Sequence, residues 1–139
     1  MEATLPIIRD LTAAGDSLMW IVGPGDMVSE NTSRGIREPQ VDGEHITIKA
    51  DNWRFHLDAR LVGRIQFVET YGDLSSHYVR FSDSRSETLL RAYLPKRGQS
   101  ESGDTPPEGN PVFEDMWARY EGTEGIEYVR REVLMSSFR

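Results

Sequence analysis

Apolar residues in the middle of this chain recur at every second position, in short bursts separated by a few turn-forming residues. The bursts are His45–Ala50, Trp53–Leu57, Arg64–Thr70, His77–Ser82 and Thr88–Leu94. A period of two places successive side chains on opposite faces of a strand. Ile46, Ile48 and Ala50 then share one face, as do Trp53, Phe55 and Leu57, with Arg54 and His56 opposite. Ile65 with Phe67, His77 with Val79 and Phe81, and Leu90 with Ala92 and Leu94 continue the pattern. Connections this short predict an antiparallel meander, because parallel neighbours need long crossovers.

The period changes on either side of this block. Residues 4–14 predict a short helix: Thr4 can cap it, Pro6 suits its first turn, and Ile7, Ile8 and Leu11 share a face before Gly15 stops it. Ser17–Val22 is a nearly continuous apolar run and predicts a central strand. Gly23-Pro24-Gly25-Asp26 then predicts a turn, Met27–Arg34 a more polar returning strand, and 35–43 a loop. Residues 95–110 offer no anchoring apolar side chain beyond proline, so 97–110 is expected to be a flexible loop. Asn110-Pro111 opens a second helix, with Phe113, Met116, Trp117 and Tyr120 as its apolar stripe and Gly122 as its end. A last helix is expected over 123–135, with Ile126, Val129, Val133 and Leu134 inward. The whole predicts one α+β domain over 1–139. Its core is a large antiparallel meander sheet of about seven strands, with N- and C-terminal helices packed on one face. The other sheet face would carry Tyr71, Tyr78, Tyr93, Arg54, Arg64, Arg80 and Arg91. A Tyr/Arg face suits an interface or a ligand platform as well as a solvated surface.

Composition narrows the chemistry. The chain of 139 residues carries a net charge of −7 and no cysteine. The acidic balance disfavours nucleic acid and anionic membranes as partners. The missing thiols exclude disulfides, thiolate metal sites and cysteine nucleophiles. The opening Met-Glu-Ala-Thr-Leu-Pro has neither a basic region nor an apolar one of secretory type, and no apolar run is long enough for a bilayer, so a cytoplasmic protein is expected.

The order of the strands resembles one repeat of the haem-utilisation family of HemS and ChuX type proteins. Phe55-His56-Leu57 stands where that family has a His-Leu pair. Ile65-Gln66-Phe67-Val68-Glu69 matches its next strand, and Phe81-Ser82-Asp83-Ser84 its turn, over roughly residues 16–96. The resemblance implies a large antiparallel sheet flanked by helices, packed two modules together, so that a single module would act as a homodimer. It also implies haem as the ligand. The chain departs from the family in two places: residues 1–15 hold no histidine, and Arg85 or Ser86 replaces the glycine of the turn.

Three histidines are present. On this reading His56 is the candidate axial ligand for haem iron, with Arg54 pairing a propionate. His77, Tyr78 and Arg80 are the further candidate cofactor-binding residues. The alternatives stay open residue by residue: a surface role for His56, a satisfied core position for His77, and an exposed strand edge for His45. The run 82–87 reads as a hairpin turn, since neither a strand-to-helix elbow nor a neighbouring histidine supports a serine nucleophile. Glu121, Glu124 and Glu127 do not specify a metal site. Two functions of different class follow: tetrapyrrole sequestration by a homodimer, or a module of the same fold without haem that serves protein interaction or small-molecule sensing. An enzyme has least support, because no acid–base pair can be placed.

Overall fold

The computed structural model describes residues 1–24, 27–95 and 110–135. The chain runs as α1 (Thr4–Ala13), β1 (Met19–Val22), β2 (Ser29–Thr32), β3 (Gln40–Asp42), β4 (His45–Lys49) and β5 (Arg54–Asp58). A 3-10 turn (Ala59–Leu61) then leads to β6 (Arg64–Gly72), β7 (Ser76–Ser82), β8 (Thr88–Tyr93), α2 (Pro111–Tyr120) and β9 (Ile126–Val133). The architecture is α+β, as expected. The strands form a six-stranded sheet in the order β2-β1-β8-β7-β6-β9 and a three-stranded sheet in the order β3-β4-β5.

The expected meander is real but is divided between the two sheets. β4 and β5 form a hairpin in the small sheet, and β6, β7 and β8 form the antiparallel run in the large one. The break falls at the 3-10 turn, where the Asp58 carboxylate accepts from the Arg60 amide at 2.9 Å and turns the chain out of β5. β3 lies inside the expected loop; its three residues are all exposed, so no alternation marks it. Of the expected turn Gly23–Asp26, the last two residues lie outside the described residues, as does all of the expected loop 97–110 except Asn110.

The C-terminal expectation is corrected more sharply. Residues 126–133 are a strand, parallel to β6, from Ile65 opposite Ile126 to Gly72 opposite Val133. Only those two ends of β9 are buried, so the spacing of its apolar residues imitates a helix face. Gly122 and Gly125, at φ +85° and +84°, reverse the chain after α2 and lay it along β6. At Gly72 a Cβ would sit 2.8 Å from the Val133 carbonyl oxygen, so the close approach of β6 and β9 needs glycine.

The core lies between one face of the large sheet and a layer made of α1, α2 and the small sheet. Ile7, Ile8 and Leu11 of α1, Phe113 and Met116 of α2, and Ile46, Ile48 and Leu57 of the small sheet belong to one cluster with Trp20, Phe67, Val79, Phe81 and Ala92. Asn110 caps α2 by accepting from the Phe113 amide, as its sequence position predicts. Thr4 does not cap α1. The cap position is Ala3, and the Thr4 hydroxyl is buried in the first turn. Trp20 joins the sheets, with ring centroids 6.3 Å from Trp53 and 6.1 Å from Phe55, while its indole N–H donates to Ser33 Oγ at 2.5 Å.

Candidate functional site

The small sheet turns Ile46, Ile48, Phe55 and Leu57 toward the core, and its pleat therefore sends the intervening residues outward. The register then decides which of these meet. Thr47 stands opposite His56, Lys49 opposite Arg54, and His45 opposite Asp58. On the other side of β4, Gln40 faces Thr47 and Asp42 faces His45. Gln40, Val41, Asp42, His45, Thr47 and His56 line an open depression of about 490 Å3.

Within it, Thr47 Oγ1 and His56 Nδ1 are 2.8 Å apart. When Nδ1–H donates to that hydroxyl, the ring is oriented and Nε2 keeps its lone pair as a ligand atom. Arg54 lies two residues along the same face, with Lys49 beside it. At the other end Asp58 is a standing anion. The Arg60 guanidinium forks onto its two oxygens at 3.1 and 2.8 Å and holds its carboxyl down to about 2.

A second surface is the face of the large sheet away from the core. Strand registers put Met19, Tyr93, Tyr78, Val68 and Val129 in one row across it, and Ile21, Arg91, Arg80, Gln66 and Glu127 in the next. Both helices and the small sheet pack on the opposite face, so among the described residues no element covers this one. Tyr78 is buried there beneath its neighbours: the Tyr93 ring lies 4.5 Å away, and Arg131 donates to the Tyr78 hydroxyl at 3.2 Å. Burial pushes the Tyr93 phenol above its ordinary value. Arg91 sets an Nη 3.4 Å from the Tyr93 hydroxyl and leaves its Nε buried without a partner. Arg80 is committed to the fold, donating to Thr88 Oγ1, Gln66 Oε1 and the Ser86 carbonyl at 2.8, 2.9 and 2.6 Å.

His77 belongs to neither surface. It points into the covered face, where its Nε2 lies 3.5 Å from Glu69 Oε1 and its ring packs edge-on to Phe113 at 4.9 Å. Glu69 also accepts from the Tyr128 hydroxyl at 2.7 Å and lies 3.6 Å from Arg130. The five expected residues thus occupy three places: His56 and Arg54 together, Tyr78 and Arg80 together, and His77 under α2. Thr47, Lys49 and Arg131 escaped the sequence reading. The first two become visible only through cross-strand register, and Arg131 was assigned to a helix. Among the described residues no group of three His, Asp or Glu side chains could hold a metal ion.

Haem requires an axial ligand, cations for its two carboxylates and apolar contact. His56, Arg54 and Lys49 fit the first two requirements on one face. Apolar contact in the depression is limited to Val41, itself 43% exposed, so a bound ring would need a second surface over it.

No protein-family model matches the sequence, and no curated protein does. Solved structures do match in fold. A structural-genomics protein from Agrobacterium tumefaciens superposes with a TM-score of 0.67 at 17% identity, over 86% of this chain and 68% of that one. The haem-binding protein ChuX superposes with a TM-score of 0.64 at 13% identity, over 84% and 72%. A protein from Erwinia carotovora gives 0.60 at 12% identity, over 85% and 69%. The chain has the ChuX-like fold that its strand order suggested.

Proposed function

We propose that this protein sequesters haem or a related planar tetrapyrrole on the outer face of its small sheet, and that it works as a homodimer in the cytoplasm. One observation carries the reading: His56, its Nδ1 held by Thr47 at 2.8 Å, sits beside Arg54 and Lys49 on the fold of a haem-binding protein. His56 would offer Nε2 to the metal, and Arg54 and Lys49 would pair the propionates. The second copy would supply the apolar cover that Val41 alone does not give. Bound haem would contribute its iron centre and its absorption band. This chain's own residues hold and orient, and the reading assigns them no proton transfer.

Titrating the protein with hemin tests this. A sharp, saturable Soret band is expected, with its position altered in His56→Ala. A flat, nonspecific response would overturn the haem reading. An unchanged spectrum in His56→Ala would remove His56 as the ligand. A second reading, a haem-free interaction module, is favoured by the uncovered face of the large sheet, where Arg91 Nε is buried without a partner. A flat hemin response together with loss of self-association in Tyr93→Glu would support it.

A further inference from the structure

The outward residues of the small sheet sort by charge along its strands. Pairing sets them in three rows: Lys49 with Arg54, then Gln40 with Thr47 and His56, then Asp42 with His45 and Asp58. The first row is cationic, the middle row is neutral and holds His56, and the last carries the acids. Neighbouring rows on one face of a strand are two residues, about 7 Å, apart.

The two charged rows are unequally compensated. Among the described residues, the side chains of Lys49 and Arg54 make no hydrogen bond or ion pair. The turn between β4 and β5 holds one acid, Asp51, and its carboxylate packs against Gly35. At the opposite end Arg60 is bound to Asp58, and Glu44 lies within electrostatic reach of the same guanidinium. Asp42 is exposed and, among the described residues, has no ion pair of its own. Asp42, Glu44 and Asp58 thus share one guanidinium, and His45 adds a cation only when protonated. That end of the face keeps an excess of negative charge.

We infer that this polarity selects among tetrapyrroles by where their carboxylates stand. The face takes a ring whose carboxylates gather on one edge and rejects a ring that carries them all round, and Asp42 and Asp58 set the choice. His56 must centre the ring, so this selection rests on the proposed function. A flat ring centred on His56 would reach both flanking rows. Protoporphyrin has its propionates on adjacent pyrroles, so it would bring them to Lys49 and Arg54 and no charge to the acidic row. Coproporphyrin has a propionate on every pyrrole. However it is turned about His56, part of that charge would face Asp42 and Asp58. Like charges within about 7 Å at a protein surface weaken binding by roughly 3- to 10-fold per pair, and salt screens the effect.

Soret titrations of the whole chain with hemin and with iron coproporphyrin, at low and at high salt, test the selection. Hemin should bind about 10-fold more tightly at low salt, and the gap should narrow at high salt. Asp42→Asn combined with Asp58→Asn should close most of the gap by tightening the iron coproporphyrin complex. Asp58→Asn keeps an oxygen for the Arg60 amide. Asp42→Lys, a single change at an exposed position, should shift the ratio in the same direction. Equal affinities in the native chain would overturn the selection and leave the haem reading standing. A gap that salt does not narrow, or that Asp42→Lys leaves intact, would do the same. Failure of both porphyrins to bind would overturn the haem reading and the selection with it.

Discussion

Replacing Trp20 by Phe should destabilise the protein by about 3 kcal/mol, and replacing Ser33 by Ala as well should return part of that loss. Trp20 and Ser33 are both 0% exposed, and the indole N–H donates to the Ser33 hydroxyl. Trp20→Phe loses about 1–2 kcal/mol of packing in a core that does not fully close around a smaller ring. It also strands a buried hydroxyl, for about 1–2 kcal/mol more. Ser33→Ala alone strands the indole N–H instead and should cost about 2 kcal/mol. The double variant strands neither group, so only the packing loss remains, and the two changes should fall short of additivity by about 3.5 kcal/mol. Urea unfolding followed by far-ultraviolet circular dichroism, which does not depend on the removed tryptophan, measures all three. Additive losses would show that the Trp20–Ser33 hydrogen bond contributes nothing beyond packing.

Two further outcomes follow from polar contacts. Asn110→Ala should cost about 2 kcal/mol, about half from the lost helix cap and half from the lost hydrogen bond of its side-chain amide to the Pro95 carbonyl; Asn110→Asp keeps the cap and should cost about half as much, so equal losses in urea melts would refute the cap. The Asp58 carboxyl should titrate near 2 by carbon-13 NMR and return to the usual carboxylate range in Arg60→Ala. Its folded value is depressed, so its contribution to stability is present above the unfolded value and fades as pH falls toward 2. A midpoint unmoved by Arg60→Ala would refute the assignment of the shift to the guanidinium.

Strands and helices were legible where one side of an element is dry. The alternation of Ile46, Ile48, Phe55 and Leu57, and of Ile65, Phe67, Val79 and Phe81, reads straight into burial because those strands are half-covered. Asn110-Pro111 announced α2 because capping is local chemistry. β9 was not legible: its interior is wet or half-wet on both sides, and the pairing that makes it a strand comes from β6, far away in the chain. The division into two sheets was equally hidden, because an Asp58-capped turn and an ordinary hairpin loop look alike in sequence. The same limit applied at the candidate site. His56 and Arg54 could be placed on one face by counting, but Thr47 reaches His56 only through the β4–β5 register.

The parallel β6–β9 pair also has a consequence for biosynthesis. Glu127 lies 61 residues beyond its partner Gln66. A ribosome adding about 5–20 residues per second releases β6, β7 and β8 seconds before β6 can receive its last neighbour. During that interval one flank of the nine-residue β6 stands open to any passing extended polypeptide. Nascent chains halted before residue 126 should therefore be the form of this protein that depends most on chaperones.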